Sequence, residues 1–136
     1  MMLKPSLRIL YGILAASWVV NGAWMLFAPA QWFATIPGAS DTGPFNPHLV
    51  RDFGVCFLLV GAVALVALGR GVLRYAYHAW ILAFFALHGA VHVWELLAGH
   101  THAHIWWRAF PWVFGETILL LLLSFPAAWQ KLEVRN

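Results

Sequence analysis

The chain has 136 residues, of which 62% are hydrophobic and only 10% are Asp, Glu, Lys or Arg, with a formal net charge of +3. A soluble domain carries about 25% charged residues to cover its surface, so a mean hydropathy of +0.76 points to lipid as the solvent. The composition also excludes a disordered chain and a disulfide scaffold, and the cations lie in ones and twos rather than in the basic patch that nucleic acid requires.

A helix crosses the hydrocarbon core in about 20 apolar residues, and four windows of that size follow one another along a single domain. The first is 7–28. Lys4 and Arg8 precede an apolar stretch, and Ala15, Ala16 and Ser17 resemble a signal-peptidase site, but the apolar run continues to Phe27, so a full span is the expectation. Asn21 is its polar residue, in the outer half.

The connection 29–48 is long and rich in proline and glycine, and is read as a lid over one end of the bundle. Within it, residues 29–35, with Trp32 and Phe33, suit an interfacial helix of one or two turns. Asn46 is placed as the cap of the next helix, with Pro47 at its first position. The second span, 49–68, carries Arg51 and Asp52 at its mouth and Cys56, a small packing residue. A tight turn at Gly69, Arg70 and Gly71 leads into the third span, 75–98.

The third span holds His88, His92 and Glu95. Their spacing of i, i+4 and i+7 confines them to an arc of roughly 60° on one helix face. The next loop carries His100, His102 and His104, whose alternation puts three imidazoles on one side if the segment is extended, an arrangement that captures Cu or Zn weakly. The fourth span, 109–129, contains Glu116 about two turns in and the run 118–123, which reads as lipid-facing on every side. His78 carries no functional expectation. Glycines at 12, 22, 54, 61, 89 and 115 let helices approach closely, and the tryptophans near the span ends form an interfacial belt.

The fold class is therefore all-α, a transmembrane four-helix bundle. Lys4, Arg8, Arg70, Arg74, Lys131 and Arg135 fall on one side and only Arg51 and Arg108 on the other. This places both termini in the cytoplasm. Ionisable groups within spans face the bundle interior, so Asp52, His88, His92, Glu95 and Glu116, with Arg51 and Asn21, are expected to line one pocket opening outward.

Three readings of that pocket stay open. It binds a lipophilic molecule such as a quinone or an isoprenoid, with Trp18, Trp24, Trp94 and Trp112 as its wall and the imidazoles exchanging a proton. Alternatively, His88, His92, Glu95 and Glu116 hold a transition metal, Zn, Fe or Cu. In the third reading Arg51 and Arg108 neutralise two of the three carboxylates in a closed structural network. Whether the protein is an enzyme is open, as is the choice between an accessory subunit of a larger membrane complex and a homo-oligomer.

The stretch PAQWFATIPGASDTGPFNPHLVRDFG, residues 29–54, and the later HGAVHVWE, residues 88–95, resemble segments of small bacterial DoxX-like four-helix membrane proteins. Asn46, Pro47, His48, Arg51 and Asp52 lie in the matching motif. The resemblance implies a multi-pass protein of the bacterial inner membrane and a link to quinones. Cys56 is the only cysteine, so the redox cysteine chemistry associated with some of those proteins has no counterpart here.

Overall fold

A computed structural model describes residues 2–3, 5–69, 74–125 and 129–130. The chain forms helices α1 (Pro5–Phe27), α2 (Pro29–Thr35), α3 (Pro47–Gly69), α4 (Arg74–Leu97) and α5 (Ala103–Ser124), with a 3-10 turn at Ala39–Asp41. Among the described residues four helices, all but α2, are long and apolar enough to cross a membrane. They pack as an all-α four-helix bundle. Two-residue strands β1 (Met2–Leu3) and β2 (Trp129–Gln130) pair antiparallel at one end of the bundle. That is called the terminal end below, and the opposite one, where residues 28–46 join α1 to α3, the loop end.

Local signals set the boundaries at the loop end. Asn46 Oδ1 accepts from the backbone N–H of His48 at 3.1 Å and of Leu49 at 3.2 Å, and Pro47 occupies the first helical position, where its missing N–H costs nothing. Pro29 likewise opens α2. α5 begins at Ala103, six residues earlier than the apolar window suggests, and Pro111 sits inside it, exposed. The aromatic and charged residues His104, Trp106, Trp107 and Arg108 depress hydropathy without interrupting the helix.

Among the described residues α1 and α3 make the closest approach, antiparallel, because glycines face each other. A Cβ on Gly22 would come within 2.6 Å of the Gly54 carbonyl oxygen, and one on Gly54 within 2.9 Å of the Gly22 carbonyl oxygen. Gly61 fits against Ala15 and Val19 in the same manner. The pair is also capped reciprocally. Arg8, near the start of α1, donates to the Leu68 carbonyl at the end of α3, and Arg51, near the start of α3, donates to the Leu26 carbonyl at the end of α1, each at 3.4 Å. Unsatisfied terminal carbonyls and the negative end of the helix dipole both favour a guanidinium there.

The core draws on all four long helices: Tyr11, Ala15 and Trp18 of α1, Ala64 of α3, Ile81 and Phe85 of α4, Leu120 and Leu123 of α5. The run 118–123 is therefore not lipid-facing all round. Leu120 and Leu123 are buried while Ile118, Leu121 and Leu122 are exposed, as a helix with one neighbour-facing side requires. Cys56 is exposed rather than packed.

Candidate functional site

The polar residues divide into separate groups instead of lining one pocket. Glu116 accepts a 2.9 Å hydrogen bond from the indole N–H of Trp18, a residue only 1% exposed. Because α5 starts at Ala103, Glu116 lies ~20 Å along the helix, beyond its midpoint and much deeper than a start near residue 109 implied. Among the described residues no hydrogen bond joins it to His88, His92 or Glu95, and Trp18 is its partner.

Asp52 stands apart for a simple geometric reason. The buried face of α3 runs through Val50, Gly54, Gly61, Ala64 and Ala67, and Asp52 is about 200° of helical rotation from Val50. Its side chain is 60% exposed and lies 3.4 Å from the His48 imidazole. Arg51 points to the Leu26 carbonyl, and Arg108 is exposed. Among the described residues His48 with Asp52 is the only acid-base contact, so the closed network of two arginines and three carboxylates does not form.

Asn21 is already engaged. Its Oδ1 accepts from the Trp32 indole N–H at 2.8 Å, fastening α2 to α1. From there the connection runs across the loop end, where Gly38, at φ +88°, rests on Ala109 of α5 before the chain returns to α3. Trp94 and Trp112 are 67% and 64% exposed, so neither forms an inner wall. Trp18 alone of the expected aromatic wall is buried in the core.

His88 and His92 do come together. Their rings meet edge to face with centroids 4.9 Å apart, half-buried at the seam between α4 and α3. Phe84 stacks parallel to His88 at 6.5 Å, and Phe53 of α3 approaches it at 6.3 Å. Neither imidazole has a hydrogen-bond partner among the described residues, leaving four ring nitrogens available between them. At ~1.5 Å rise per residue His88 lies ~13 Å and His92 ~7 Å below the loop end of α4, with Glu95 above them near the rim.

Among the described residues no three His, Cys, Asp or Glu side chains gather closely enough to hold an ion. Glu116 turns to Trp18, which removes it from the expected set of His88, His92, Glu95 and Glu116. The group His100, His102 and His104 fails as an extended ligand strip because the helix begins at once: His102 is the residue before α5 and His104 is inside its first turn. The rings of His102 and His104 stack at 5.9 Å, leaving His100 behind in the turn.

Sequence reasoning undervalued His78. It is the most buried polar residue described, 1% exposed, on the same face of α4 as Ile81 and Phe85. The i, i+3, i+7 spacing of those residues was the available signal. Its Nε2 lies 2.8 Å from Ser124 Oγ. The Ser124 hydroxyl gives its one proton to the Leu120 carbonyl at 2.8 Å, so Nε2 of His78 is the donor. This tie joins α4 to α5 toward the terminal end, as Trp18 and Glu116 join α1 to α5 at mid-depth.

Comparison with known proteins found no family model, no curated protein and no solved structure that matches the chain.

Proposed function

We propose that this protein binds a small lipophilic molecule with a hydrogen-bonding head, quinone-like or isoprenoid, through the imidazoles of His88 and His92. The observation that carries this reading is the pair itself: two imidazoles half-buried among Phe53 and Phe84, with no partner for their ring nitrogens among the described residues. A polar group within a membrane span is costly unless something satisfies it, and a neutral head with carbonyl or hydroxyl oxygens would do so. The resemblance to DoxX-like proteins supports the same ligand class and a place in the bacterial inner membrane. The six-to-two division of cations supports cytoplasmic termini, with the histidines toward the outer face.

The test is the lipid content of protein purified in bilayer nanodiscs without a His-tag. A neutral lipophile should be recovered in near-stoichiometric amount with the wild type. Recovery should fall at least tenfold in the double variant His88→Ala, His92→Ala, while Asp52→Asn, which alters an exposed group, keeps it. Equal recovery from wild type and double variant defeats the reading.

A further inference from the structure

The polar groups inside the bundle are placed unevenly about Glu116. No cation among the described residues stands beside it: Arg8 and Arg51 are fixed to carbonyls at helix ends, Arg74 is the first residue of α4, and Arg108 is exposed eight residues nearer the loop end. A carboxylate alone in hydrocarbon is strongly disfavoured. Oε1 of Glu116 is occupied by the Trp18 indole, which can only donate, so the proton of the neutral acid belongs on Oε2, an atom with no partner among the described residues. On the loop side of Glu116 the neighbouring interior is apolar. Val113 and Met25 are buried, Phe114 closes on Gly89, and Asn21 is engaged by Trp32. The next polar group that way on α5, the Trp106 indole, is a donor without an acceptor and cannot pass a proton on.

The terminal side is different. Thr117 carries a buried hydroxyl with no partner among the described residues, and so does Tyr11, which is 1% exposed and lies ~10 Å nearer the terminal end than Trp18. The Tyr11 ring is 5.7 Å from that of His78, whose Nε2 is 2.8 Å from Ser124 Oγ in the last turn of α5. Buried hydroxyls are satisfied as a rule, and each of these can both accept and donate, as a proton relay requires. We propose that Glu116 is a proton-binding site within the span, a neutral acid that exchanges the proton on Oε2 with water at the terminal end through the side of the interior formed by Thr117, Tyr11, His78 and Ser124. The proton passes to a water oxygen and returns from one, so no other reactant is consumed. Tyr11 and His78 are the titratable groups of α1 and α4 on that side. His88 and His92 meet at the α3 seam, Cys56 of α3 is exposed, and α5 has no other titratable side chain between Arg108 and Ser124. One carboxyl oxygen suffices for a proton, whereas a metal cation needs several ligands.

Infrared spectra of the full-length protein in dodecyl maltoside, a detergent without a carbonyl group, test this independently of any ligand at His88 and His92. At neutral pH the difference spectrum, wild type minus Glu116→Gln, should hold the carbonyl stretch of a protonated acid. Dicyclohexylcarbodiimide, which attacks the acid form, should modify Glu116 and leave the exposed Asp41 and Asp52 untouched. On transfer to D2O the band should move to lower wavenumber, at least tenfold more slowly in Tyr11→Phe, a variant that removes only a hydroxyl without a partner. Absence of both the band and the modification means an ionised Glu116 and overturns the proposal. Modification prevented by Na+ at fixed pH assigns the carboxylate to a metal cation and overturns it as well. Equal exchange rates in wild type and Tyr11→Phe, or a band that never moves, overturn the route through the terminal side.

Discussion

Glu116 illustrates how one hydrogen bond changes what a buried carboxylate does. Without a guanidinium beside it, replacement by Gln strands no cation; the amide oxygen can take over the bond from Trp18. Glu116→Gln should therefore leave stability nearly unchanged. Glu116→Leu removes the acceptor and leaves the indole N–H of a fully buried Trp18 unpaired, which costs about 1–3 kcal/mol. Thermal unfolding of the two variants in detergent checks this, and a large loss in Glu116→Gln would contradict it. The lesson extends to His78, where the residue type said little and the helix face said much.

At the scale of elements, the glycines are unequal although they look alike in the sequence. Gly22→Ala places a methyl 2.6 Å from a backbone oxygen that cannot step aside, whereas a Cβ at Gly12 meets only a Leu68 methyl at 3.6 Å and one at Gly115 meets nothing within 4 Å. Overpacking of this kind costs about 1–3 kcal/mol, so Gly22→Ala should lower the melting temperature clearly and Gly12→Ala and Gly115→Ala should not. Similar losses in all three would mean that α1 and α3 do not approach through Gly22. What was legible here followed from locality. The Asn46–Pro47 start and the short helix at Pro29–Thr35 were readable because a cap and a proline act on their own neighbours. The orientation of Asp52, the buried positions of Leu120 and Leu123, and the partner of Glu116 were not, because each depends on which helix lies alongside. The fourth span began earlier than expected for another reason: average hydropathy is a poor guide where Trp, His and Arg share the first turns of a helix.

The whole molecule reads as two antiparallel pairs, α1 with α3 and α4 with α5, joined by core residues and by the thinner α3–α4 seam. The four-helix architecture was legible because lipid as solvent leaves few alternatives to helices. A shared site was not, because equal depth does not make equal azimuth. If the cation asymmetry sets orientation, a cysteine introduced at Thr101, in the turn between α4 and α5, should react with an impermeant maleimide added outside intact cells. Reaction only after the inner face is opened would invert the molecule, while leaving its internal contacts as described.

The reciprocal arginine caps carry one more consequence. Arg8 and Leu26 are eighteen residues apart on α1, so the two guanidiniums of the α1–α3 pair stand ~27 Å apart along the helix axis. Each is fixed to a carbonyl at the terminus of a neighbouring helix and prefers the edge of the hydrocarbon layer to its interior. Their separation is a length that the surrounding hydrocarbon layer would have to match. In a hydrocarbon core of about 30 Å it fits with slight thinning of the surrounding lipid, and in thicker, sterol-rich membranes it would have to draw the lipid inward or break a cap. Tilting offers little relief, since it shortens the reach further.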